Sequence, residues 1–206
     1  MSLQLQPIKR TDPRILANMA VHYSQPKGFV GRNICYAITY DGLYYGSIVG
    51  GSATLHLPGR DAFFGRGAER ESNLNQIVNN IFYHVDKVDG KYPLRWFTVA
   101  VLAAFRVQVV IDWKTRYGDD VIGFESLVEL PRTGECYKRD GWTLVGQTVG
   151  YTCKRVAGQS TDAWTGRRVW NTNPDQLRPK LVFVRRPDAV TPLSLPIDVN
   201  VKHTAL

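Results

Sequence analysis

The chain has 206 residues, 44% of them hydrophobic and 21% charged, with a formal net charge of +8 and a pI near 9.5. That length suits one domain, with or without an appendage, and buries a core of ordinary size. The odd trio Cys35, Cys136 and Cys153 has no CxxC spacing, which argues against a disulfide framework and a cysteine-only zinc site. The positive surplus points to a polyanionic partner, nucleic acid before membrane.

The opening "MSLQLQPIKRTDPR" sets no apolar run behind a basic start, so no signal peptide is expected. In "TDPRILANMAVHY" Thr11 or Asp12 can cap a helix and Pro13 fits its first turn. Pro26 and Gly28 end it, leaving His22 and Tyr23 at its last turn. A histidine there is either a satisfied structural group or half of a site. "NICYAITYDGLYYGSIVGG" predicts a hairpin turning at Asp41-Gly42. Residues 52–72, rich in glycine and charge, predict a loop, within which "FGRGAERE" is a weak phosphate-loop candidate.

Residues 74–85 read as a strand. Residues 94–118, apolar on nearly all sides, read as a buried helix. Their apolar core at 97–105 is too short to span a bilayer, so a cytoplasmic protein is expected. A strand over 121–130, a short helix or turn over 134–142 and a strand or hairpin over 143–156 complete the pattern. Alternating strands and helices predict an α/β domain over 1–156 with helices flanking its sheet.

From residue 157 the chain reads as an extended, basic C-terminal arm with five prolines, packed on the domain or on nucleic acid. Residues 151–186 hold Lys154, Arg155, Arg167, Arg168, Arg178, Lys180, Arg185 and Arg186 against Asp162 and Asp175, a net of +6. Clustered charge matches phosphates locally, and Trp164 and Trp170 are placed as stacking platforms for unpaired bases. Lys27 is a further candidate contact.

No HExxH, GxSxG, GxxxxGK[ST] or strand-borne GxGxxG is present. The remaining chemistry-bearing groups are His22 with Tyr23, and Glu125, Glu129, Tyr137 and Asp140. Glu125 and Glu129 share one face of a strand, where two buried carboxylates need a metal, a base or water as partner. A histidine, a carboxylate and two phenols can hold iron or position an amine for attack.

Three features together resemble the Mom family of phage DNA-modification proteins and, more loosely, a domain family of the Druantia anti-phage system. They are the early "HY" before "SQPKG", the hairpin "YDGLYYGSIVGG" with the strand "NQIVNNIFYHV", and above all "GFESLVELPRTGECYKRDGWTLVGQTVG". The resemblance covers roughly residues 20–150. It implies a GCN5-related N-acetyltransferase fold, a mixed, splayed sheet flanked by helices. It also implies an enzyme that converts adenine in DNA to an N6-carbamoylmethyl form, protecting phage DNA from restriction, and a bound iron. The family's His-Tyr pair carries over onto His22 and Tyr23, and its later tyrosine onto Tyr137. Its aspartate falls on Leu127 here, so Glu129 is the nearest match.

The resemblance thus assigns catalysis and metal binding to His22, Tyr23, Glu129 and Tyr137. His22 or Glu129 would take the amine proton, or the metal would polarise the donor carbonyl. The acetyltransferase pyrophosphate loop is replaced by "YPLRWFTVAV", without glycine, which leaves Thr98 as the hydroxyl nearest to a phosphate. Acetyl-CoA is suggested by the fold only. Two other readings remain open: a non-catalytic nucleic-acid-binding phage or defence protein on the same shell, and acetyl transfer to a protein or small molecule.

Overall fold

The structure is a computed structural model that describes residues 2–24, 26–65, 74–150, 173 and 177–188, and the backbone of 152–155 and 168–171. Strand β1 (Leu3–Ile8) leads to helix α1 (Pro13–Val21), then β2 (Asn33–Tyr40) and β3 (Leu43–Ser52). Helix α2 (Pro58–Phe63) and a short 3-10 turn, Leu74–Gln76, precede β4 (Ile77–Val85). The long α3 (Phe97–Tyr117) connects β4 to β5 (Gly123–Glu129). Short α4 (Glu135–Arg139), β6 (Thr143–Gln147), β7 (Thr152–Arg155), β8 (Arg168–Asn171) and β9 (Lys180–Arg185) follow. Seven strands form one mixed sheet in the order β1-β2-β3-β4-β5-β9-β6; β7 and β8 pair separately.

Local chemistry explains most of these elements. Asp12 caps α1 by accepting from the Arg14 amide, and Pro13 opens the helix, as expected from the sequence. Asp41 and Gly42 both take positive φ, the requirement of the tight turn that joins β2 to β3. Helix α3 stops at Gly118, which is left-handed and donates back to the Lys114 carbonyl.

Several expectations are corrected. The loop read over 52–72 contains α2, which Pro58 initiates; residues 66–73, including most of "FGRGAERE", lie outside the described residues. Helix α3 is one-sided rather than buried all round. Phe97, Val101, Phe105, Val109 and Trp113 face the sheet, whereas Val107 and Ile111 are exposed on the opposite side. Leu3 and Leu5 alternate with glutamines in β1, an edge strand that the sequence reading left out.

The C-terminal segment is not all arm. Strand β9 inserts between β5 and β6, antiparallel to both, and buries Val182, Phe183 and Val184. Its "LVFV" run was the one apolar stretch of that region, and a central strand is where such a run belongs. Residues 157–167 and 189–206 lie outside the described residues.

The two faces of the sheet carry different covers. Helices α3 and α4 pack on one face over Tyr36, Ile48, Val78, Phe124 and Phe183. On the other, α1 covers Cys35, Val49 and Phe82, while α2 lies over β9 and β6 near Val182 and Val184. Among the described residues, no helix is long and apolar enough to cross a membrane.

Candidate active site

The one parallel pairing in the sheet is brief. Ile77, Val78 and Asn79 of β4 align with Gly123, Phe124 and Glu125 of β5, and beyond them the strands part. On its other edge β4 is bulged. Val49 and Gly50 of β3 face Phe82 and Asn80, so Ile81 is the extra residue. A bulge bends its strand and aims side chains anew, and here it sits where β4 leaves β5.

The gap is a cleft of about 740 Å³, walled by β4 from Asn80 to Val85, by β5 from Ser126 to Val128, and by the α1 C-terminal loop and the Pro131–Tyr137 segment. His22 and Tyr23 line it, and so does Tyr137, more than a hundred positions later in the chain. They come from opposite faces of the sheet. His22 packs on Phe82 with ring centroids 4.7 Å apart. Tyr137 rises from α4, stacked on Phe183 at 5.5 Å and edge-on to Trp142.

His22 is firmly tied. Its Nδ1 lies 2.8 Å from Ser24 Oγ and accepts from the Ser24 amide, and the ring also hydrogen-bonds the Tyr83 backbone. Burial, with help from His84, pushes its pKa down to about 4, so the imidazole is neutral at pH 7. It holds the open edge of β4 to the end of α1. The structure thus places this candidate in the wall of the cleft.

Tyr23 lies against His22 at 4.2 Å, and the Arg132 guanidinium sits 3.5 Å over its ring. Burial raises its phenol pKa, while Arg132 lowers it. Tyr137 accepts a hydrogen bond from Asn80 Nδ2 at 3.0 Å and is fully protonated, because burial drives its pKa far up. Cys136 also lines the cleft, but burial raises its thiol to about 11, so it is no thiolate at neutral pH.

The other candidates lie apart. Glu125 and Glu129 do share a face of β5, as read from their spacing. Glu125 is wholly buried and is answered by Arg60 and by the Thr54 amide. Glu129 stands at the strand end with Arg178 at 3.4 Å and Lys180 at 4.0 Å. Its backbone bonds Tyr23, and the two interact electrostatically, though Glu129 does not line the cleft. Asp140 is buried against Arg106 and accepts from the Trp142 indole at 2.7 Å, away from the cleft. Thr98 sits in the first turn of α3; its carbonyl accepts from the Tyr83 hydroxyl at 2.7 Å, and it does not line the cleft.

The residues do not fit the expected iron. Both polar sides of the His22 ring are taken, Glu129 is engaged by two cations, and Tyr137 is a protonated phenol across the sheet from them. Among the described residues, no group of three or more His, Cys, Asp or Glu can hold a metal ion.

The basic candidates are also dispersed. Lys27 is exposed near the α1 loop. Arg185 bonds Asp188 at 2.5 Å, and Arg186 donates to the Phe63 carbonyl, so both are occupied within the domain. Lys154, Arg155, Arg168 and Trp170 fall on the β7–β8 hairpin, for which the backbone alone is described. Arg167 and Trp164 lie outside the described residues. Asn80, Ser126 and Arg132 line the cleft and were missed from sequence. The available signal was the polar pair Asn79-Asn80 amid β-formers in "NQIVNNIFYHV".

No protein-family profile matches the chain, and no curated protein matches it in sequence. Solved structures do match its fold. RimL, a ribosomal alpha-N-protein acetyltransferase in its apo form, superposes with a TM-score of 0.52 at 12% identity, covering 92% of this chain and 96% of its own. The aminoglycoside acetyltransferase AAC(6')-Ib, in complex with coenzyme A and kanamycin, gives 0.52 at 11% identity, covering 90% and 95%. An acetyltransferase from Elizabethkingia anophelis with acetyl-CoA bound gives 0.50 at 8% identity, covering 89% and 97%. The mixed seven-stranded sheet, parted between β4 and β5 and flanked by helices, is the fold of the GCN5-related N-acetyltransferases.

Proposed function

We propose that the protein is a group transferase of the acetyltransferase type, and that its acceptor is the exocyclic amine of adenine in DNA. The convergence of His22, Tyr23 and Tyr137 on one cleft carries this reading, because the Mom resemblance assigns these same residues to one site. The transferase part rests on analogy of fold with the acetyltransferases. The adenine part rests on the resemblance and on the charge of +8.

In that role the cleft passes through the sheet, giving donor and acceptor separate approaches. The new bond forms between the amine nitrogen and the donor carbon as that carbon releases its leaving atom. The amine proton departs to water, since Glu129 lies outside the cleft. Tyr137, a protonated phenol, donates to the leaving atom. His22 is neutral and tied at both nitrogens, so it shapes the wall and is not the base. A base flipped from duplex DNA costs a few kcal/mol, which stacking on Tyr23 and phosphate contacts would offset.

Nucleoside mass spectrometry on DNA from cells expressing the protein tests this directly. A heavier deoxyadenosine that is lost in Tyr137→Phe is the expected result. Unmodified DNA beside soluble, DNA-binding protein would establish the second reading, a binder without chemistry. One observation favours that second reading: α3 begins at Trp96 with no side-chain cap and no glycine loop, so the usual place for a donor's phosphates is altered.

A further inference from the structure

Around the start of α1 and the last turn of α3 the cations are of two kinds. Arg14 pairs with Asp12 at 2.9 Å, Lys114 with Asp120 at 2.8 Å, and Arg32 with Asp119. Lys9, Arg10 and Arg116 have no carboxylate in ion-pair range among the described residues. Instead all three line one cavity of about 570 Å³, whose described walls hold no acid. The cavity lies at the sheet edge, where the β1–α1 turn and the start of β2 meet the end of α3. Strands β2 and β3 separate β1 from β4, and no residue lines both this cavity and the cleft.

Tyr117 fixes the geometry. Its hydroxyl accepts from the Asn33 amide and donates to the Asn33 carbonyl, both at 3.0 Å, which ties the end of α3 to the first residue of β2. Two guanidinium groups lie over its ring, Arg32 at 5.0 Å and Arg116 at 5.5 Å from the centroid. Arg10 reaches the same place from the β1–α1 turn. Burial pushes the Cys35 thiol up to about 11, while Arg116 and Arg10 both pull it back, so the two arginines converge on one buried residue of the cavity wall.

Like charges gathered in a concave wall focus the field there and draw in anions. A guanidinium fork matches the oxygens of a phosphate two at a time, and the Thr11 hydroxyl adds a further donor to the same wall. A single carboxylate would answer only one of the three charges. Linked phosphates answer more of them and fill more of the space.

We propose that this cavity is an anion site, separate from the cleft, in which Lys9, Arg10 and Arg116 hold the phosphates of a ligand. Two sources supply such phosphates: a free diphosphate compound and a nucleic-acid backbone. The inference does not depend on the transferase reading, and its test needs no turnover.

The test is calorimetric titration of the full-length protein with inorganic pyrophosphate at fixed ionic strength. In parallel, NMR follows the backbone amides of Asn33 and Tyr117 at the cavity and of Phe82 and Ser126 at the cleft. One saturable site that shifts the cavity amides and leaves the cleft amides in place is the expected result. Arg10→Gln with Arg116→Gln should weaken pyrophosphate about tenfold or more. Lys87→Gln with Lys91→Gln removes the same charge from the loop after β4, where neither residue lines either cavity, and should stay within about twofold of the parent. All four side chains are exposed, so both double variants keep the fold, which a urea midpoint verifies. A short DNA duplex then separates the sources. A duplex that displaces pyrophosphate assigns the site to a nucleic-acid backbone; one that leaves pyrophosphate bound assigns it to a free phosphate compound. Absence of saturable pyrophosphate binding, shifts confined to the cleft, or equal weakening in the two double variants overturns the proposal.

Discussion

The two halves of the β4–β5 pair solve the same problem in opposite ways. In the inner half the strands are laddered from Ile77 to Asn79, and the charged groups beside them are paired. Glu125 meets Arg60 and the Thr54 amide, and Arg60 also binds Asp61 and the Thr54 carbonyl, with glutamate and arginine both fully buried. In the outer half the strands have parted, and their backbone groups need other partners. The His22 ring supplies one at Tyr83 and Ser126 supplies another at Asn80. The buried charges are paired where the strands are laddered, and the cleft opens where the ladder stops.

The largest effect should come from unsealing the inner half. Removing one partner of a buried ion pair strands the other, at about 3–5 kcal/mol. Arg60→Leu and Glu125→Gln are each expected to lower stability to global urea unfolding by that amount. Arg60→Leu with Glu125→Leu should cost less than the sum, since no charge is then left unanswered. Single variants within about 1 kcal/mol of the parent would show that the pair does not hold the inner half together.

The outer half should respond to a change of shape at its margin. Gly46 of β3 has φ +150°, and a Cβ there would lie 2.1 Å from the His84 carbonyl of β4. Backbone cannot step aside as a side-chain tip can. Gly46→Ala should therefore cost about 2–3 kcal/mol through overpacking. It should also disturb amide exchange along β4 from Phe82 to Val85 more than from Ile77 to Asn79. Equal disturbance of both halves would remove the distinction between them.

Acid should loosen the outer half selectively. His22 has a folded pKa of about 4 against 6.5 unfolded, so the unfolded chain binds the extra proton first. This contribution is absent above pH 6.5, grows as pH falls from 6.5 toward 4, and levels off below 4. Between pH 7 and pH 5 it should lower stability by about 2 kcal/mol. His22→Gln should flatten that part of the pH–stability curve. An unchanged slope would mean that His22 titrates freely and does not wall the cleft.

How much of this was legible in the sequence follows the same division. The hairpin at Asp41-Gly42, the cap at Asp12 and the helix after β4 are set by neighbouring residues, and local chemistry predicted them. The His22, Tyr23 and Tyr137 cluster was legible only through resemblance, because nothing local brings α1 and α4 to one gap. Arg60 as the partner of Glu125 was not legible, since it sits in a stretch whose glycines and charges read as a loop. Strand β9 was hidden by its basic flanks: the charge of Lys180, Arg185 and Arg186 spoke for an arm, while the four apolar residues between them belong to the sheet centre. Asn80 was visible as an oddity in a strand, but its hydrogen bond to Tyr137, 57 positions away, was not.

The smallest effect should appear at the mouth of the cleft, where Arg132 covers Tyr23. Arg132 is exposed and Tyr23 only partly covered, so the guanidinium–ring contact is worth only about 0.5–1 kcal/mol. Arg132→Ala should lower stability by no more than that, a change near the resolution of a urea midpoint. The ionisation of Tyr23 is the more telling readout. Burial raises its phenol pKa and Arg132 counters the rise, so deleting the guanidinium should move the pKa further up. Phenolate absorbance in Arg132→Ala, compared with Arg132→Ala/Tyr23→Phe, isolates that one ring. An upward shift places the cation against the ring in solution, where it would share the face on which a base could stack. A phenol that does not move would mean that Arg132 leaves the ring in solution, and that the mouth is open on that side as well.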